Sequence, residues 1–135
     1  MALCIWDDSF SVKISSIDEQ HQKLIQIINE LHDAMLTGKS RTVVGDVLRK
    51  ILEYTQYHFS YEEKLLEKVH YSDLEHHKEL HDAFVNKIAD FYNKYINGDI
   101  LLSIEILEFL LNWLTNHIKG TDTGYTDLML QNGIT

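Results

Sequence analysis

Apolar residues recur every three or four positions in four separate segments of this 135-residue chain. That spacing places them on one face of an α-helix, so each segment predicts an amphipathic helix that buries one face in a core. The sequence contains no proline that would interrupt a helix. The predicted helices cover approximately residues 17–37, 41–67, 73–96 and 100–119.

Local signals mark the ends of these helices. The sequences SIDE at 16–19 and SDLE at 72–75 have the form of a capping box, in which serine caps the helix and a glutamate three residues later bonds back to it. Gly38 and Gly98 follow the first and third segments, and glycine commonly ends a helix. The short connections make successive helices antiparallel neighbours. The predicted fold is therefore all-α: one domain over 1–135, an antiparallel up-down-up-down four-helix bundle with an N-terminal arm and a short C-terminal segment.

The composition excludes several classes of protein. Lysine and arginine number 12 against 21 acidic residues, and the net charge of −9 does not favour nucleic acid or an anionic membrane surface. The single cysteine, Cys4, excludes an intrachain disulfide and a four-cysteine zinc site. The N-terminus does not resemble a secretory signal, and no apolar segment has the length that spans a membrane. We therefore expect a cytoplasmic protein that binds neither nucleic acid nor membranes.

Polar residues interrupt the predicted apolar faces of all four helices. These residues are His21, His58, Glu62, His77, His81 and His117. His58 and Glu62 are four residues apart, as are His77 and His81, so the members of each pair are offset by only ~40° around the helix axis. A buried polar group without a partner costs ~1–3 kcal/mol, a large part of the ~5–15 kcal/mol by which a domain is stable. The cluster therefore needs a strong common partner.

A metal site supplies that partner, because neutral imidazole nitrogen and carboxylate oxygen are both good metal ligands. A zinc ion takes three or four protein ligands, which is fewer than this set provides. Two ions that share bridging carboxylates would use the whole set, and a second bridge would then lie near His117. Asp122 is the candidate for it. Asp122 is about 140° around a regular helix from His117, but Gly120 permits the chain to leave helical geometry and turn back.

Three further histidines fall outside the apolar faces and are expected at the surface: His32, His70 and His76.

Taken together, these pieces resemble the hemerythrin family, and within it the single-domain bacterial hemerythrins. The matching sequences are IDEQH at 17–21, HFSYEE at 58–63, HHKELH at 76–81 and WLTNHIKGTD at 113–122. The likeness extends over residues 6 to 130, and all seven ligand positions of the family hold the expected residue type.

The resemblance implies a non-heme centre of two iron ions (Fe²⁺/Fe³⁺) joined by an oxo or hydroxo bridge. The ligands of one iron would be three histidines: His77, His81 and His117. The second iron, which keeps an open position for dioxygen, would be held by His21 and His58. Glu62 and Asp122 would bridge the two ions.

Four apolar residues match the family's dioxygen pocket beside the open iron: Leu24, Phe59, Trp113 and Ile118. Ordinary core packing is the alternative role for each of them. Tyr125 matches another family position near the site, and Trp6 matches the N-terminal arm that packs across the bundle.

The expected function is reversible dioxygen binding for oxygen storage, transport or delivery, and not enzymatic catalysis. Di-iron oxygenases and ferritins in helical bundles use glutamate-rich sites, whereas histidine ligands donate less charge to stabilise high-valent iron. The predicted pocket also contains no acid–base residue. Two alternatives remain: an oxygen or redox sensor domain, and an enzyme that removes peroxide or nitric oxide.

Overall fold

The computed structural model describes residues 3–98 and 103–135. Its main helices are α1 (Ser15–Leu36), α2 (Arg41–Lys68), α3 (Leu74–Ile96) and α4 (Ser103–Trp113). No strand occurs in the described ranges. The helices form the antiparallel up-down-up-down four-helix bundle that the sequence predicts. The predicted beginning of the fourth helix, near residue 100, lies outside the described residues. No helix within the described ranges has both the length and the apolar character needed to cross a membrane.

The beginnings of α1 and α3 differ from the predicted capping boxes. α1 begins one residue before Ser16, which therefore lies inside the first turn and does not cap it. Asp18 bonds instead to the arm that precedes the helix: its carboxylate accepts hydrogen bonds from Ser11 Oγ at 2.6 Å and from the Val12 N–H at 2.8 Å. Asp73, the residue before α3, makes no side-chain cap bond. Both capping boxes are wrong, and at α1 the reason is that contacts with the arm decide where the helix begins.

The predicted helix ends at two glycines are confirmed. Gly38 follows α1 with φ +68° and Gly98 follows α3 with φ +110°, in the left-handed region that other residues rarely adopt. The predicted beginning of the second helix at residue 41 is confirmed, and Ser40 caps α2: its Oγ accepts a hydrogen bond from the Val43 N–H at 3.2 Å.

α4 continues directly into a wider helical segment. The elements that follow it are a π-helix (Leu114–Thr121), a 3-10 turn (Asp122–Tyr125) and a short helix α5 (Thr126–Gln131). Hydrogen bonds in a π-helix join residues five apart, and the Asp122 N–H donates to the His117 carbonyl. The wider turn brings Asp122 to the side of the helix that carries His117. The predicted departure from helical geometry at Gly120 is wrong: φ of Gly120 is not positive, and an added Cβ would contact nothing within 4 Å.

Two apolar clusters fill the interior. The larger lies within the bundle, and the smaller joins the N-terminal arm to the C-terminal segment. In α1, His21 lies between Ile17 of the smaller cluster and Leu24 of the larger one. The same order holds in α2, where Glu62 follows Phe59 and precedes Leu66. The polar residues therefore form a layer that apolar packing shields from water at both ends.

Candidate metal centre

The structure brings all seven predicted ligand residues into one buried layer, and none of them is more than 5% exposed. α1 supplies His21, α2 supplies His58 and Glu62, α3 supplies His77 and His81, and the segment after α4 supplies His117 and Asp122. They form two overlapping groups: Glu62, His77, His81, His117 and Asp122; and His21, His58 and Glu62. Within each group the possible ligand atoms lie within 4.8 Å of one another. Glu62 belongs to both groups.

The two oxygens of Glu62 face different histidines. Oε1 lies 2.6 Å from His77 Nε2 and 3.2 Å from His81 Nε2. Oε2 lies 3.5 Å from His58 Nε2. The carboxylate therefore presents one oxygen to each group.

The two oxygens of Asp122 also face different groups of histidines. Its Oδ1 lies 3.0 Å from His117 Nε2 and 3.1 Å from His77 Nε2, whereas its Oδ2 lies 3.3 Å from His21 Nε2. Two carboxylates thus extend between a group of three histidines and a group of two. This is the arrangement in which carboxylates can bridge two neighbouring ions.

The donor atoms fit a pair of transition-metal ions. Of the buried atoms of these residues that lack a hydrogen-bond partner in the described part of the chain, four belong to the histidine–carboxylate contacts given above: His81 Nε2, His117 Nε2 and both carboxylate oxygens of Asp122. Buried polar atoms are nearly always paired, so these four need a partner such as an ion. Imidazole nitrogen and carboxylate oxygen suit iron and zinc, and seven such residues exceed the four that one structural zinc binds.

The charges of the layer also favour a bound cation. Burial raises the pKa of Glu62, but close contacts with three histidines outweigh burial and hold that pKa well below its ordinary value. Burial and the charge of Glu62 raise the pKa of Asp122, and contacts with two histidines more than reverse this effect. Burial lowers the pKa of His77, whereas the two carboxylates raise it to about 10. Both carboxylates are therefore ionised. Their negative charge has to be balanced by positive charge, which either protonated histidines or metal ions can supply.

Residues outside the seven orient two of the histidine rings. Gln20 Oε1 lies 2.7 Å from His58 Nδ1, and Glu63 Oε2 lies 2.7 Å from His81 Nδ1. Because Nδ1 is the donor in these bonds, Nε2 remains free to face the layer. Neither Gln20 nor Glu63 was predicted from the sequence as a residue of the site. Each contacts a histidine on another helix, and no local pattern in the sequence reports such a contact.

Tyr125 connects the layer to the smaller apolar cluster. Its hydroxyl donates a hydrogen bond to Glu62 Oε2 at 2.8 Å, and its side chain is fully buried. Burial and the charges of Glu62 and Asp122 raise the pKa of Tyr125 well above its ordinary value, so the hydroxyl remains a donor.

The four residues predicted to line a dioxygen pocket all lie near the layer. Leu24, Phe59 and Ile118 are buried in the larger apolar cluster, and the half-buried Trp113 packs against it. The Phe59 ring stacks on His81 with centroids 3.8 Å apart, and Trp113 stacks on His117 at 4.6 Å. The aromatic pair therefore covers rings of the three-histidine group, although Phe59 also contacts His58, with ring centroids 5.8 Å apart. Their role in a pocket stays a prediction.

The remaining histidines lie outside both groups. His70 and His76 are exposed, as predicted. The surface prediction is wrong for His32, whose side chain is only 16% exposed and whose Nδ1 is buried. His32 directly follows the buried Leu31 on α1 and is itself half-buried. The arm prediction agrees with the structure: Trp6 is half-buried and packs against the larger cluster.

A family model described as the hemerythrin HHE cation binding domain matches residues 12–128. The chain belongs to the hemerythrin family. A bacteriohemerythrin of Stenotrophomonas maltophilia is 37% identical over 127 residues, which cover 94% of this chain and 82% of that protein. A bacteriohemerythrin of Methylococcus capsulatus is 33% identical over 93% of this chain and 95% of its own length.

The fold agrees with solved hemerythrin structures. A crystal structure of wild-type hemerythrin superimposes with a TM-score of 0.87 at 32% identity, covering 94% of this chain and 98% of the other. The resemblance seen in the sequence motifs is thus confirmed over nearly the whole bundle.

Proposed function

We propose that this hemerythrin-family chain binds dioxygen reversibly at a di-iron centre and serves in oxygen storage, transport or delivery. The observation that carries the proposal is the division of the Glu62 and Asp122 oxygens between two groups of buried histidines. Two relatives that are 37% and 33% identical over more than nine-tenths of the chain are bacteriohemerythrins.

The ligand roles follow from that division. His77, His81 and His117 would hold one iron, and Oε1 of Glu62 and Oδ1 of Asp122 face these three rings. His21 and His58 would hold the second iron with the other carboxylate oxygens, so this iron would have one protein ligand fewer and room for dioxygen. A solvent-derived oxo or hydroxo group would complete the bridge. Iron held there would supply the electrons for reversible reduction of dioxygen.

The chain's own residues favour reversible binding over catalysis. Leu24, Phe59 and Ile118 are buried apolar side chains, which exclude water from the layer. The Tyr125 hydroxyl donates its hydrogen bond to Glu62. An enzyme that removes peroxide or nitric oxide needs a proton donor placed at the reacting group. These four predicted pocket residues provide none.

An oxygen titration of the iron-loaded protein tests the proposal. Protein reconstituted with Fe²⁺ without air should bind close to two ions per chain, one for each ligand group. Its visible spectrum should change on exposure to oxygen and return under vacuum over repeated cycles. Conversion to an oxidised form that does not return under vacuum, or turnover of peroxide without a stable oxygenated form, would contradict it.

Replacing Ile118 with threonine should accelerate autoxidation of the oxygenated protein. Ile118 is fully buried, and a hydroxyl at this position admits a proton donor to a dry pocket. The measurement is the rate of decay of the oxygenated spectrum. Ile118→Val, which keeps the wall apolar, should decay at the wild-type rate. Ile88→Thr introduces the same polar change in the larger cluster, away from the ligand residues, and controls for lost stability. An unchanged rate in Ile118→Thr would remove Ile118 from the pocket.

A further inference from the structure

Three histidines of the metal centre differ in what contacts their outer ring nitrogen. His81 Nδ1 bonds to a carboxylate, Glu63 Oε2, at 2.7 Å. His58 Nδ1 bonds to a neutral amide oxygen of Gln20 at the same distance. His21 Nδ1 has no hydrogen-bond partner among the described residues. The two-histidine group therefore lacks an acidic partner of this kind, whereas the three-histidine group has one.

Glu63 and Phe59 hold the His81 ring from two directions. They are four residues apart on α2 and so project to the same side of that helix. The rings of Phe59 and His81 are parallel within 2°, with centroids 3.8 Å apart, which fixes the plane of the imidazole. The hydrogen bond that His81 Nδ1 donates to Glu63 then fixes the rotation of the ring in that plane. Together they aim His81 Nε2 at Glu62 Oε1, 3.2 Å away.

Glu63 contacts this ring while its own side chain stays partly exposed to water. Its side chain is 24% exposed, whereas His81 is 1% exposed. Glu63 lies in a cleft of about 340 Å³ between α2 and α3, which also contains Glu67, Lys64 and Lys78. A carboxylate at this boundary influences the buried ring at a smaller desolvation cost than a fully buried one would have.

We propose that Glu63 is a positioning residue that makes the two metal positions unequal. It orients His81 and strengthens this histidine as a metal ligand. As a result, the three-histidine position binds metal more tightly and has the greater preference for oxidised metal. A carboxylate that accepts the Nδ1 proton fixes the tautomer of a ligand histidine and raises the basicity of Nε2. Removing such partners typically costs about 10–100-fold in metal affinity. The inference rests on the ligand groups of the proposed function, but not on dioxygen binding.

The test is a Co²⁺ titration of the metal-free protein, followed by absorption spectroscopy and calorimetry. Wild-type protein should bind two ions in two distinguishable steps. Glu63→Gln keeps the shape and an acceptor but removes the charge, and should weaken the tighter step by about 10-fold; Glu63→Ala removes both and should approach about 100-fold. The weaker step should not change. In the iron-loaded protein, Glu63→Gln should raise the reduction potential of one iron.

Two further variants separate a specific contact from a general effect of charge. Glu67→Gln removes the same charge from the same cleft, where Glu67 makes no side-chain hydrogen bond among the described residues, and both binding steps should stay as in wild type. Gln20→Glu places a carboxylate against His58 and should strengthen the weaker step, bringing the two affinities closer together. Far-UV circular dichroism of each variant checks the fold.

The proposal is overturned if Glu63→Gln leaves the Co²⁺ affinity of both steps unchanged or weakens both steps equally. It is also overturned if Glu63→Gln weakens the tighter step no more than Glu67→Gln does. A single Co²⁺ step in the wild type also overturns it. Failure of reversible dioxygen binding in a protein that passes these titrations would contradict the proposed function alone. Normal dioxygen binding with no effect of Glu63→Gln would contradict this inference alone.

Discussion

Glu62→Ala should reduce the iron content from close to two ions per chain to well below one. Glu62 is the residue shared by both ligand groups, so its removal takes a ligand from each ion at once. The substitution also leaves His77 without the carboxylate oxygen that lies 2.6 Å from its Nε2. Iron is measured by elemental analysis after reconstitution and gel filtration, with circular dichroism as a check of folding.

Variants of neighbouring residues make this result specific. His21→Ala removes a member of the smaller group only, and should retain about one ion, in the intact larger group. Glu67→Ala removes an exposed carboxylate from the same helix and should retain both ions. Glu62→Gln, which preserves the side-chain volume, should lose iron as Glu62→Ala does. Iron near two per chain in folded Glu62→Ala would contradict the assignment of Glu62 as a bridge.

Removal of the metal should lower the unfolding temperature by about 10 °C or more. Seven polar side chains are packed in the interior with exposures of 5% or less, and they repel or compete with one another unless a cation joins them. A ligand present at a thousand times its dissociation constant stabilises the folded state by about 4 kcal/mol. Each kcal/mol corresponds to a few degrees in a domain of this size.

Calorimetry of iron-loaded and chelator-treated protein, at one pH and without air, measures this difference. The Glu62→Ala protein provides the control, because a chain that cannot hold both ions should show little change on chelation. Equal unfolding temperatures for wild-type protein with and without bound iron would contradict a stabilising metal centre.

The helical pattern of the sequence was a reliable guide to the bundle because it reports local geometry. Steps of three and four residues place side chains on one face of a helix regardless of its neighbours, so the apolar faces of α1 and α2 were predictable. Gly38 and Gly98 were predictable stops for a similar reason, since positive φ is inexpensive only for glycine. The capping box at Ser16 failed because contacts outside the four-residue motif decide where α1 begins: Ser11 and Val12 of the arm bond to Asp18.

The path from His117 to Asp122 shows how the right residue can be predicted for the wrong reason. The residue types indicated that Asp122 lies near His117, and the two are 3.0 Å apart. The prediction was that Gly120 lets the chain leave helical geometry, whereas a π-helix widens the turn. A π-helix has poor local energetics and persists where surrounding structure holds it. No residue type in the segment predicts the π-helix.

The sequence by itself determined the four amphipathic helices, the two pairs at spacings of four (His58 with Glu62, and His77 with His81), and the identity of the family. Each depends on residue type and on the rise and twist of one helix, which the backbone sets without tertiary contacts. The tertiary structure alone decided how the oxygens of Glu62 and Asp122 divide between the two groups. It also decided which histidines form hydrogen bonds with Gln20 and Glu63. These contacts join atoms on different helices, and their distances depend on how the helices pack together, which no single segment encodes.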